Sequence, residues 1–345
     1  MELQLVHKPT LELNPVKSTI IIGQETGDVN SSNNNIITNS NTNPFIEANT
    51  KSISLSHLQK DCIIPVFSKD NERTITHSEF IDVVANSVLK VFSHHSIDAP
   101  EIRISHQIKG RTPSAIYKSA KDLLDHEKTN YYERMAFIIR VPSITETING
   151  NKLSLMVGGV RAYNKENLYS KKSVEKFQVF IGFQNQVCCN LCISTDGMQS
   201  EMRVGSVNEL AVKVQDLISN YDAKNHLKEM LALTEYSITE RQFAQLLGKS
   251  KLYNYLPKNE KLQTPQLLLN DGQISSIAKD YYQDERFCKN EDGNINLWNV
   301  YNLFTSANKS SYIDTFSERN VNAYEFSKGL AQTLNGNSNY RWFLS

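Results

Sequence analysis

The sequence predicts an α+β fold: an antiparallel sheet packed by helices, followed by a mainly helical C-terminal part. Three observations predict it. Between Met135 and Thr195, strand-like runs follow one another at close spacing with turn signals between them, which favours an antiparallel meander. From Asn208 onward the apolar period changes from two to 3.6, with Leu210, Val214, Leu217 and Ile218 on one helical face. Strands first and helices afterwards, rather than in alternation, mark α+β. The expected organisation is an Asn-rich arm over 1–50, a sheet domain over 51–206, and a helical region over 207–345 packed on the sheet.

The arm is expected to be disordered. Residues 24–50 alternate Asn with Ser and Thr and hold few apolar side chains, too few to offset the entropy of ordering. A short strand at Ser18–Ile22 is the one element expected there. Structure should begin near Ile53, and Cys62–Phe67 reads as a short strand. Thr76 and Glu79 form a capping box, after which Phe80, Ile81, Val84, Val88, Leu89 and Phe92 recur at helical spacing. Glu101–Ile108 alternates as a strand. Thr112-Pro113 reads as a helix start, with Pro at the first helical position and Ala115, Ile116, Ala120, Leu123 and Leu124 on the buried face.

Four strands are expected next, at Met135–Val141, Leu153–Tyr163, Phe177–Phe183 and Val187–Thr195, with a short one at Met202–Val204. A second capping box is read at Ser237 and Glu240. Helices are expected at Ile274–Tyr282, Asn296–Thr305 and Ala323–Leu334.

Composition bounds the function. The chain has 345 residues, is 39% hydrophobic and 21% charged, and is long enough for a full core without disulfides. Its five cysteines are an odd number, and no secretory signal opens the chain. Reduced thiols and a cytoplasmic location are expected. No run of apolar residues is long enough for a membrane span. Formal net charge is zero, but residues 101–182 hold 14 Lys/Arg against 8 Asp/Glu. A basic middle on a neutral chain points toward an anionic partner or a solvated surface.

The cysteine cluster Cys188, Cys189 and Cys192 invites a metal reading. Cys189 and Cys192 have zinc-knuckle spacing, but no second ligand pair follows. On a strand, alternation sets Cys189 opposite Cys188 and Cys192, so buried structural thiols are expected and no metal. The Asn290–Ile295 segment mimics a calcium loop, yet Cys288 and Asn299 occupy the positions that need carboxylates. It reads as a turn. Gly158-Gly159 lies inside a strand pattern, where a bulge or a close approach is expected rather than a phosphate loop. No cofactor motif occurs, nor a nucleophile elbow, zinc helix or Walker loop. A metal-dependent nuclease using Glu133 or Asp196 is the enzymatic alternative.

The candidate binding residues are Lys109, Arg111, Lys118, Lys121, Tyr132, Arg134 and Arg161. Lys118 and Lys121 would share a helix face beside Arg111, positive charge suited to phosphates. Tyr132 and Arg134 would add stacking and charge. Arg161 can hold a carboxylate or face an anionic ligand, and the basic patch can equally be a solvated face. Single-stranded DNA or RNA is the expected partner. The alternative is a protein-interaction or regulatory module, cued by the apolar ending Trp342, Phe343 and Leu344. Deleting that tail would separate docking on a partner from docking on the chain's own core. A second copy of the chain is a further partner left open.

Several motifs resemble an uncharacterised bacterial family, a domain of unknown function. They are Gly110-Arg111-Thr112-Pro113, Tyr131–Met135, Gly158–Asn164, Phe180–Phe183 with Val187–Cys192, and Leu297–Thr305 with Asn308–Asp314. More distantly the chain resembles the phage/plasmid-like protein family, which shares a Val-Cys-x-Asn stretch and a Trp-x-x-x-Asn-x-x-Thr helix. The resemblance covers roughly residues 70–345. It implies a mobile-element setting and carries over no catalytic residue.

Overall fold

The computed structural model describes residues 43–65, 74–166 and 174–345. The strand expected at Ser18–Ile22, and Val66 and Phe67 of the strand expected at Cys62–Phe67, lie outside them. Among the described residues the main sheet has eight strands: β1 (Lys51–Ile53), β2 (Ile64–Pro65), β3 (Glu101–Arg111), β4 (Lys128–Ile148), β5 (Asn151–Ala162), β6 (Glu175–Asn185), β7 (Leu191–Cys192) and β8 (Met198–Val204). Their order is β1-β3-β4-β5-β6-β7, with β2 also on β3 and β8 also on β6, and every pairing is antiparallel. A shift of register between Val141 and Thr145 bends the long β4.

Both faces of this sheet are buried, which is why Met135–Val141 is an almost unbroken apolar run. Met135, Phe137, Ile139 and Val141 enter the larger core with α2 (His77–Val91), whereas Ala136 and Ile138 enter a second core on the opposite face. α2 opens with the predicted capping box: the Thr76 hydroxyl accepts from the Glu79 N–H, and Glu79 accepts from the Thr76 N–H. Its Phe80, Ile81, Val84 and Val88 are fully buried, each worth about 1.5–3 kcal/mol of transfer free energy. α1 (Leu55–Asp61) lies before it, capped by Ser54.

The glycine pair makes a close approach rather than a bulge. Pairing with β4 and β6 runs unbroken through Gly158 and Gly159. A Cβ on Gly159 would stand 2.5 Å from the Phe80 ring, and one on Gly158 2.5 Å from the Phe180 ring. The two glycines thus let an aromatic ring from each core rest on the backbone.

The helical part comprises α3 (Val207–Asn220), α4 (Ala223–Ala232), α5 (Glu240–Tyr255), α6 (Lys258–Lys261), α7 (Asp271–Gln283), α8 (Leu297–Asn308), α9 (Phe316–Leu334) and α10 (Arg341–Leu344), with a small pair of β9 (Ser237–Ile238) and β10 (Ile295–Asn296). The larger core runs continuously from Ile53 through the sheet to Phe343. The second core is closed by two distant segments: Phe45 and Ile46 near one end of the described chain, Ile313 and Phe316 near the other. The Phe45 and Phe316 rings lie 5.8 Å apart, and the Lys309 carbonyl accepts from the Glu47 N–H at 2.8 Å. The residues from Phe45 to Thr50, at the end of the expected arm, therefore belong to the packed structure.

Three local expectations are corrected. The helix predicted at Thr112 is instead a string of 3₁₀ turns at Pro113–Ala115, Ala120–Asp122 and Asp125–Glu127. Arg111 explains the difference, because its guanidinium donates to the carbonyls of Ala115, Ile116 and Lys118. Those are oxygens a continuing helix would use internally. The strand predicted at Val187–Thr195 shrinks to Leu191–Cys192. Asn185 Oδ1 accepts from the Val187 and Cys188 N–H groups, and Cys189 is left-handed at φ 58°, so the chain turns there. The second capping box is formed by Thr239 and Gln242, two residues past the expected position, because Ser237 pairs in β9.

Candidate functional site

The sequence-predicted binding residues do not share one surface. Arg161 is 1% exposed. Its Nε lies 2.8 Å from Glu166 Oε1 and its Nη2 2.5 Å from Glu175 Oε2, and it sits over the rings of Tyr163 and Phe177. Burial alone would weaken its charge, but Tyr163, Glu166 and Glu175 outweigh that and raise its pKa. Of the two roles open to it, the geometry shows the ion pair. Arg111 is buried and committed to the 3₁₀ turns. Arg134 pairs with Asp314 at 3.1 Å, beside the Tyr312 ring. Lys118 pairs with Glu127, whose carboxyl is held below its usual range by that ammonium and by the Leu124 N–H. Lys109 and Lys121 are exposed, on β3 and in a 3₁₀ turn.

Tyr132 leads to a site the sequence reasoning missed. A cleft of about 750 Å³ opens between α1, β1, the middle of β3 and the start of β4. Lys51, Lys60 and Lys128 line it against one carboxylate, Asp61, together with His57, Ser105, His106, Gln107, Asn130 and Tyr132. Lys51 and Lys60 are exposed and make no ion pair among the described residues. Lys128 reaches Asp125 at 2.7 Å, an exposed pair that holds its charge only weakly. Lys109 is the cross-strand partner of Asn130; directly opposed side chains share a face, so it extends the positive rim.

At the back of the cleft three polar groups form a chain. His57 Nδ1 lies 2.8 Å from Asp61 Oδ2, one helical turn away on α1, and His57 Nε2 lies 3.0 Å from the Tyr132 hydroxyl. A carboxylate only accepts, so Nδ1 carries the proton; in the neutral ring Nε2 is then the acceptor for the Tyr132 O–H. Burial, then the nearby Cys62 and Asp61, raise the pKa of the Tyr132 phenol, so the phenol stays protonated unless a base takes its proton. Cys62 Sγ also approaches Nε2 at 3.5 Å. It is fully buried, and that burial pushes its thiol up to about 12. In the cleft wall His106 has φ 57°, a strained left-handed backbone for a residue inside a strand.

The cysteine cluster is on the far edge of the sheet. Burial pushes Cys188 up to about 11, Cys192 up to about 12, and Cys189 upward as well. Thiols so shifted are poor metal ligands and poor nucleophiles. Cys188 packs against the core that contains Cys192, whereas Cys189 lies near Arg140 and Glu101. The separation expected from strand alternation is thus produced by the turn. Among the described residues no group of His, Cys, Asp or Glu is arranged to hold a metal ion, Glu133 and Asp196 included. Asp196 instead accepts from the Asp222 N–H at 3.2 Å. No helix among the described residues is long and apolar enough to cross a membrane.

The apolar C-terminal tail docks on the chain itself. Phe343 is fully buried against Phe326 and Tyr253, and Trp342 and Leu344 pack on the same core.

The fold and the cleft define an α+β protein whose open site combines lysines with an Asp–His–Tyr chain. By sequence the chain belongs to the family described as "Domain of unknown function, B. Theta Gene description (DUF3871)", which matches residues 28–344. The match begins inside the Asn-rich stretch, well before the motifs that first suggested such a family. No curated protein and no solved structure matches the chain.

Proposed function

We propose that this protein binds single-stranded nucleic acid in the cleft between α1, β1 and β3–β4, as a cytoplasmic factor of mobile elements. One observation carries the reading: Lys51, Lys60 and Lys128 converge on a single concave surface that holds one carboxylate. Phosphate contacts dominate the affinity of such sites and need cations in a groove. Gln107 and Asn130 add side-chain amides, joined by a 2.7 Å hydrogen bond, that can meet base edges. Of the residues singled out from sequence, Lys109 and Tyr132 belong to this surface. Arg111, Arg134, Arg161 and Lys118 hold the framework around it. The mobile-element setting rests on the resemblance to phage- and plasmid-borne proteins.

Fluorescence anisotropy with a labelled single-stranded oligonucleotide tests the reading. Binding at low salt should weaken steeply as salt rises. Unchanged anisotropy at micromolar protein and low salt would refute it.

A further inference from the structure

The cleft holds more than phosphate binding requires. A hydroxyl, a ring nitrogen and a carboxylate stand in line, at 3.0 and 2.8 Å, and the lysines lie on the same surface. Nucleophile, base and orienting group within hydrogen-bond reach of one another are the signature of an activated nucleophile. We propose that Tyr132 is a nucleophile toward a phosphodiester held in this cleft, with His57 as its general base and Asp61 as the positioning residue for His57. The inference rests on the reading of the cleft as a nucleic-acid site and deepens it.

The step balances without a further reactant. A bond forms between Tyr132 Oη and phosphorus while the bond from phosphorus to one ester oxygen breaks. The phenolic proton passes to His57 Nε2 and from there to the departing oxygen. The products are a phosphotyrosyl linkage and a strand with a free hydroxyl end. Diester has been exchanged for diester, so the reverse reaction reseals the strand. Lys51, Lys60 and Lys128 meet the charge that grows on the phosphoryl oxygens. Asp61 fixes the tautomer that leaves Nε2 free to accept. Cys62, the other group near Nε2, is fully buried and outside the cleft lining. Tyr132 is itself largely buried, at 9% exposed, but lines the cleft, whereas its chain neighbour Tyr131 is 0% exposed and outside the cleft lining and cannot substitute.

The test uses the full chain and two probes, a labelled single-stranded oligonucleotide and bis(4-nitrophenyl) phosphate. Oligonucleotide binding is read by anisotropy, and covalent transfer by the mass of the peptide containing Tyr132. The expected result is a nitrophenyl phosphate adduct on Tyr132, with an oligonucleotide adduct that survives denaturation. Tyr132→Phe should abolish both, and His57→Gln should slow them by about 100-fold or more. Asp61→Asn should slow them as well, with Asp61→Glu restoring part of the rate. If the oligonucleotide binds but neither probe labels Tyr132, or labelling persists in Tyr132→Phe, the nucleophile inference falls and the binding reading stands. If the small diester labels Tyr132 but no oligonucleotide binds, the nucleophile stands and the nucleic-acid reading falls. If neither occurs, both fall.

Discussion

Tyr131 and Tyr132 are chain neighbours in the larger core, and each reaches a histidine and a carboxylate network, yet one lies in a sealed knot and the other, 9% exposed, in the lining of an open cleft. Tyr131 is stacked on His77 at 4.7 Å; its hydroxyl accepts from the His77 backbone N–H and lies 3.1 Å from the Tyr163 hydroxyl, beside Arg161. The His77 ring donates from Nε2 to the Tyr132 carbonyl at 2.8 Å; its Nδ1 meets no partner among the described residues, and burial, which lowers its pKa to about 3, keeps the ring neutral. Tyr132 meets His57, half-buried and tied to an exposed Asp61. The same residue types are locked together where water is excluded and stand at a solvent-reached surface where it is admitted. Burial, not identity, decides between them.

The largest effect should come from breaking the knot at its charge. Arg161→Met leaves Glu166 and Glu175 without their cation in a buried site; a loss of about 3–5 kcal/mol is expected in urea unfolding. His57→Gln, in the cleft, should cost far less by the same measurement.

Acid should probe two buried histidines next, His77 in the knot and His226 on α4 beside Tyr221 and Tyr324. Burial lowers the pKa of His77 from 6.5 to about 3 and that of His226 to about 4. Below pH 6.5 the unfolded chain binds protons that the folded chain refuses. Stability should therefore fall as pH drops from 6.5 toward 3, by on the order of 2 kcal/mol for each histidine at pH 5. Urea midpoints at pH 7 and pH 5 check this, and a replacement of His77 that still folds should remove about half of the dependence, leaving the part due to His226.

Gly159→Ala should destabilise by about 1–3 kcal/mol, because the added methyl meets the Phe80 ring inside the core. Thermal melting reads it directly. The tyrosine pair gives the sharpest contrast: Tyr131→Phe should cost about 1–2 kcal/mol and Tyr132→Phe under about 1, since water can reach His57 but not His77. Equal losses would erase the distinction between knot and cleft.

The smallest stability effect belongs to the rim. Lys51→Glu with Lys60→Glu should shift unfolding by no more than about 0.5 kcal/mol per site. The same pair should weaken oligonucleotide binding and lower its salt slope by about one for each lost phosphate contact.

These contrasts follow how legible each region was in the sequence. α2 was readable because its signals are local: a capping box at Thr76 and Glu79 and an apolar stripe behind it. The α+β class and the meander were readable for the same reason, since β4, β5 and β6 are consecutive and joined in series. The segment after Arg111 was misread because a side chain, not the local pattern, takes the carbonyls of Ala115, Ile116 and Lys118. The strand at Val187 was misread because Asn185 bonds the backbone two and three residues on. The cleft was half legible: His57 and Asp61 stand four apart, a spacing that shares a helix face, but α1 carried no signal strong enough to draw attention to it. Tyr132 reaches them only through the fold. Arg161 stood out for its charge, and its exposure of 1% removes it from the surface.

The second core has a consequence for the order in which the chain matures. Its lid joins Phe45 and Ile46 to Ile313 and Phe316, segments far apart along the chain. Until both segments dock, that side of the sheet lacks its cover over Ile138, Met156 and Phe180. Completing this core therefore requires closure of a very long loop, a slow kind of contact to form. A form caught before that closure is the one most prone to clumping.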